Sequence, residues 1–99
     1  MIFNGYTHRM RSGAYFAEFF GTFLFLAAIR ATSGNPIVIG AALAVAVFLT
    51  AGVSGGNLNP AVSVMSYALG SLSAMDTLLY TAVQIAAGLA VARFVPKMM

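Results

Sequence analysis

The chain has 99 residues, 61% of them hydrophobic and only 7% charged, with a mean hydropathy of +0.92. Soluble domains run near about 25% charged, so this composition excludes an ordinary soluble domain and indicates an integral membrane protein. With no Cys, one His and two carboxylates, disulfides, thiolate metal sites and a catalytic constellation are excluded, and neither an enzyme nor a cofactor or metal is expected. The net charge of +3 comes from five basic residues standing singly. They read as topology markers, and the expected partner is the lipid bilayer, not nucleic acid.

Residues 1–13 form an expected N-terminal segment carrying His8, Arg9 and Arg11 before a Ser-Gly break. His8 reads as a solvated headgroup residue. A basic head before an apolar run could open a signal peptide, but Glu18 and Gly21 lie inside that run, Arg30 closes it, and no clean small-x-small cleavage site follows. A first membrane span over about 14–31 is the expectation. Ala17 and Gly21 are spaced for close approach of a second helix. Glu18, a carboxylate inside an apolar run, has to face the protein interior; its expected role is to accept hydrogen bonds from buried loop N–H groups or a neighbouring helix.

Thr32-Ser33-Gly34-Asn35-Pro36 is a turn, with Pro36 suited to the first turn of a second span over 36–53. Gly40 and Ala44 on that span indicate close packing, while Gly52 and Gly56 match a GxxxG pattern only weakly, since Gly56 already lies in the next turn. That turn, Ser54-Gly55-Gly56-Asn57-Leu58-Asn59, is polar and glycine-rich between two apolar stretches. Asn59 is the expected N-cap and Pro60 the first residue of a helix over 60–69, with Gly70 as its stop. About ten residues rise roughly 15 Å, half of a hydrocarbon core. Such a helix enters a membrane without crossing it, and irregular backbone at that depth implies a cavity or pathway.

Asp76 is placed where a carboxylate favours a helix N-terminus, and a third span is expected over 77–95. Ala82, Ala86 and Ala90 form a small-residue stripe, and Gln84 is an intramembrane amide suited to bonding across helices. Residues 96–99 are an expected C-terminal tail. The fold class is thus an all-α membrane protein with three transmembrane helices plus one re-entrant half-helix carrying an Asn-Pro-Ala motif. The membrane domain covers 14–95.

The stretches Ala17-Glu18-Phe19-Phe20-Gly21-Thr22, Thr50-Ala51-Gly52-Val53-Ser54-Gly55-Gly56 and Leu58-Asn59-Pro60-Ala61-Val62 resemble the first half of the aquaporin and glycerol-channel (major intrinsic protein) family. The resemblance implies a channel for passive transport of water or small neutral solutes such as glycerol, built from two inverted repeats whose half-helices meet at the midplane. It implies that Asn59 donates side-chain hydrogen bonds to a solute in single file. The dipole at Asn59, Pro60 and Ala61 would repel cations and protons. Glu18 and Gln84 would brace the loop.

Departures from the family pattern accompany these matches. Asn57 stands where the family commonly has His, and Ala87 stands three residues after Gln84, where the family usually has Gly. The sequence carries one repeat, so the second Asn-Pro-Ala and the arginine that follows it are missing; Val62 occupies the equivalent place. Family spacings from Asn59 point to a filter of Ile39 from one chain with Val47, Gly56 and Val62 from another, apolar and without a fixed cation. In the family's orientation Arg9 and Arg11 face Arg30, Arg93 and Lys97 across the bilayer, with no Lys/Arg excess on the cytoplasmic side to set one orientation. Dual topology follows as an expectation, with a homo-oligomer of antiparallel pairs, or a complementary half-channel chain, completing the pore. The competing readings are a truncated non-conducting fragment, a structural partner subunit and, less favoured because it needs no Asn-Pro-Ala loop, a holin-like membrane-lesion protein.

Overall fold

The computed structural model describes residues 11–99 as four α-helices: α1 (Arg11–Thr32), α2 (Pro36–Ser54), α3 (Pro60–Ala68) and α4 (Ala74–Phe94). The expectations for His8 and Arg9 lie outside the described residues. Helices of 22, 19 and 21 residues run about 33, 29 and 32 Å, close to a hydrocarbon core of about 30 Å. The nine residues of α3 reach only about 14 Å. Three helices are therefore long and apolar enough to cross a membrane, and one is not.

Several helix ends fall differently from their expected positions, each for a local reason. α1 starts at Arg11 and not at 14, because Ser12 and Gly13 occupy a first turn whose N–H groups have no intrahelical partner to lose. It runs on to Thr32, whose hydroxyl returns to Ala28 O at 2.6 Å. α2 includes Ser54 and stops where Gly55 turns left-handed at φ 96°. α3 ends at Ala68, and Gly70 (φ 82°) closes it by letting Ser71 N–H reach Ser66 O at 2.8 Å, a Schellman-type bond. α4 starts at Ala74 and not at 77, because Ser73 Oγ caps it by accepting from Asp76 N at 3.0 Å. It stops at Phe94, since Val95 precedes Pro96 and is held extended at φ −99°, ψ 119°.

α1 packs against both α2 and α4, and α3 rests on α4. The interior of this bundle is small and polar: Ala14, Ala17, Ala46 and Ala87 sit beside Glu18, Thr22, Thr50, Ser63 and Gln84. Leu58, Tyr80 and Val91 are the larger apolar side chains buried with them, whereas many others face outward, with Phe48 83% exposed and Phe16, Leu78 and Leu89 also outward. Among lipids there is no hydrophobic gain from burying them, whereas small residues let helices approach and polar groups need each other.

α1 and α4 are fastened at both ends. At one end Tyr15 donates to Asp76 Oδ1 at 2.6 Å and meets Tyr80 edge-to-face at 6.0 Å. At the other, Arg30 Nε donates to Val95 O at 3.2 Å, and the Met98 and Met99 amides donate to Ala31 O at 2.9 and 3.0 Å. Residues 96–99 thus fold back over the end of α1, where Ser33 Oγ also holds Met99 O at 2.8 Å. They supply donors to a carbonyl in the last turn of α1, where helix carbonyls lack intrahelical partners. Arg30, Arg93 and Lys97, distant in sequence, come to this same end of the bundle.

Candidate functional site

The chain from Ser54 to Asn59 turns back along α2. Gly55 (φ 96°) and Gly56 (φ 62°) make the reversal in a left-handed backbone. Gly56 then lies against α2: a Cβ there would stand 3.3 Å from both Val47 Cγ1 and Thr50 Oγ1. Val47 is seven residues, or about 10 Å, before the end of α2. The loop therefore climbs to the middle of the span before α3 starts.

Glu18 holds the loop there. Its side chain is fully buried at 0% exposure, and each carboxylate oxygen accepts two hydrogen bonds. Oε1 takes Leu58 N at 2.7 Å and Gln84 Nε2 at 2.9 Å; Oε2 takes Ser54 Oγ at 2.6 Å and Asn57 N at 3.0 Å. A carboxylate offers about four lone-pair sites, so this one is saturated by α4, the end of α2 and two consecutive loop amides. Charge-assisted bonds of this kind are the strong ones, and they replace the water that the bilayer interior lacks.

A second polar centre continues the network on the far side of Gln84. Ser63 Oγ, also 0% exposed, accepts from Gln84 Nε2 at 2.9 Å and from Asn57 Nδ2 at 3.2 Å. Both Gln84 N–H groups are thereby used, and reversing the amide would set its oxygen against the Glu18 carboxylate. This orientation leaves Gln84 Oε1 without a partner among the described residues, as is the nearby buried Thr22 Oγ1. The loop is also held from the α4 side by Tyr80, whose hydroxyl donates to Ser54 O at 2.7 Å.

At the tip, Asn59 is extended (φ −161°, ψ 129°) and caps α3, its Oδ1 accepting from Ala61 N at 2.7 Å. The oxygen is committed to the helix. The Nδ2 group has no partner among the described residues, and Asn59, Pro60 and Ala61 are all exposed on the open face of the unit. The tip presents an amide donor together with the positive end of a helix dipole.

The other expected filter positions are brought together only in part. Val47 and Gly56 are neighbours, and Val62 lies half-buried in the first turn of α3. Gly56 presents backbone on this path, because the direction a side chain would take is filled by α2. Ile39 is eight residues, or about 12 Å, along α2 from Val47, so one unit does not bring it to the loop. Ser63 and Tyr80 complete the site without having been singled out, and Ser54 and Leu58 entered only as members of the turn and of the Asn-Pro-Ala stretch. Their ordinary residue types gave no signal; Ser63, one turn beyond the cap, is the buried residue of a helix that is otherwise largely exposed.

The profile of the major intrinsic protein family matches residues 6–99. The chain belongs to the major intrinsic protein family. It is an integral membrane protein with three spans and a half-helix, one unit of that all-helical fold, and members of this family are channels, not enzymes. No curated protein and no solved structure matches the chain.

Proposed function

We propose that this chain is a subunit of an aquaporin-like channel for the passive transport of water or small neutral solutes such as glycerol, and that it conducts only with a second unit facing it. The observation that carries this reading is Asn59, whose oxygen is tied to Ala61 N while its amide nitrogen is exposed and has no partner among the described residues. An unpaired amide and the start of a helix cannot face hydrocarbon; they have to be covered by protein or water. A facing half-helix does both, enclosing a file of solute between two such donors. In this reading Glu18 and Gln84 brace the loop, and Asn59, Pro60 and Ala61 form the midplane contact. Val47, Gly56 and Val62, with Ile39 from the facing unit, line an apolar constriction that admits uncharged solutes.

The facing unit is an antiparallel copy of the same chain or a complementary half. Antiparallel pairing is supported by charge: the sequence places Arg9 and Arg11 before the first span against Arg30, Arg93 and Lys97 at or beyond the ends of the first and third, too little asymmetry to fix one orientation. Reconstitution into liposomes with orientation-marked cross-linking tests the pairing, and stopped-flow swelling tests conduction. Osmotic water or glycerol flux above empty vesicles, together with cross-linked antiparallel pairs, is the expected result. A single fixed orientation in the native membrane rules out the antiparallel pair, and leakage of large dyes would point instead to a membrane lesion.

A further inference from the structure

Leu58 lies between the two halves of the site. Its own N–H and that of Asn57 are held by Glu18, and the next residue is the outward-facing Asn59. Yet Leu58 is left-handed at φ 57°, an unusual state for a residue with a side chain, and it is only 2% exposed. What holds it in this state is visible in its surroundings. A Cβ placed on Gly21 of α1 would stand 2.5 Å from Leu58 Cδ2 and 3.3 Å from Leu58 Cδ1, with Thr50 Cγ2 of α2 at 3.1 Å. The Leu58 side chain therefore fills a seat between α1 and α2 that exists only because residue 21 is glycine.

Hydrogen bonds to a carboxylate tolerate a broad range of directions, so the Glu18 bonds keep the loop in place without fixing how far it projects. A branched side chain in a closed seat leaves one position. We propose that Leu58, seated on Gly21 and Thr50, is a lateral stop that sets how far Asn59 projects from α1 and so decides which solutes the filter admits. The role in solute choice rests on the channel reading above; the positioning of Asn59 does not.

The direction of the effect follows from the geometry. Apolar carbons rest about 3.5–4.0 Å apart, so a methyl group at residue 21 requires the Cδ2 end of Leu58 to move about 1 Å away from α1. In a seat also closed by Thr50, part of that displacement passes to the backbone and moves Asn59 toward the open face. A path narrowed in this way obstructs glycerol before water.

The test uses the full chain in liposomes with Gly21→Ala, Leu58→Ala and the double variant, read by glycerol and water flux and by amide exchange and the Asn59 side-chain NMR signals in bilayers. Gly21→Ala is expected to lower the glycerol-to-water flux ratio about tenfold, the scale one methylene commands in a fitted pocket. Exchange of the Leu58 amide should rise about tenfold, as expected when one hydrogen bond loses its typical net strength. Leu58→Ala in the Gly21→Ala background should restore both toward wild type, because the added methyl then occupies space the leucine has left. Leu58→Ala alone should broaden the Asn59 side-chain signals.

Unchanged Leu58 exchange and Asn59 signals in Gly21→Ala would overturn the proposal. So would a Gly21→Ala defect that Leu58→Ala fails to relieve, since Gly21 would then serve helix approach alone. If the wild-type chain conducts nothing, the channel reading fails. The exchange and Asn59 signals would still decide whether Leu58 positions the tip.

Discussion

Asn35-Pro36 and Asn59-Pro60 are the same dipeptide in two settings. Both asparagines cap a helix whose first residue is proline: Asn35 Oδ1 accepts from Ile37 N and Val38 N at 3.0 and 3.1 Å, and Asn59 Oδ1 from Ala61 N at 2.7 Å. Both follow left-handed residues, Ser33 and Gly34 in one case and Gly56 and Leu58 in the other. The difference is depth. Asn35 sits in the turn between two spans, two residues after Ser33, which bonds Met99 of the folded-back tail. Asn59 sits halfway down a span because Glu18 holds the preceding loop by its amides. Local sequence thus decides that an asparagine caps a helix; a carboxylate from another helix decides whether its remaining donor has anything to meet.

That contrast can be broken at its support or sharpened at the caps. Ranked by the stability at stake, Glu18→Ala comes first, since it strands two loop amides and removes one of the acceptors of the Ser54 hydroxyl and of the Gln84 amide. At about 1–3 kcal/mol for each buried group left unpaired, a loss of at least about 3 kcal/mol is expected, seen as a lowered thermal midpoint in lipid with flux abolished. Gln84→Leu removes the bonds to Glu18 and Ser63 but also the stranded Oε1, so about 2 kcal/mol is expected in the same measurement, with flux reduced.

Asn35→Ala should cost about 1 kcal/mol, the usual value of an N-cap, and leave flux per folded channel unchanged. The smallest change in stability is expected for Asn59→Ser, which retains a capping oxygen and should stay within about 0.5 kcal/mol. Its flux should nevertheless fall sharply, because the amide donor is gone. A stopped-flow comparison of Asn35→Ser with Asn59→Ser would show this directly: equal fluxes in the two variants would remove the distinction between the caps.

What could be read from the sequence follows the same division between local and distant causes. Asn59 as cap, Pro60 as first helical residue and the shortness of α3 depend on neighbours in the chain, and they are visible there. Glu18 was visible as a class of residue, since a carboxylate in an apolar run needs donors, but the sequence does not say that Ser54 and Asn57 share one oxygen while Leu58 and Gln84 share the other. Ser63 and Leu58 were silent for another reason. A serine is ordinary in a helix and a leucine ordinary in a membrane, and only the meeting of three helices gives one a pair of amides and the other a glycine to rest on. The docking of residues 96–99 on α1 was equally hidden, because backbone amides bonding to a distant carbonyl leave no mark on residue type.

The double fastening of α1 to α4 bears on how the site responds to the bilayer itself. Tyr15 and Asp76 close one end, the Ala31 and Val95 carbonyls anchor the other, and Glu18 with Gln84 forms a crosspiece between them. Two rods joined at three heights behave as a ladder. When lipids of different thickness tilt the spans, the rails lean together and the rung keeps its level relative to both, so the loop hung from it does not shear. The position of Asn59 should therefore be indifferent to lipid chain length over the range that the ladder can tilt to match.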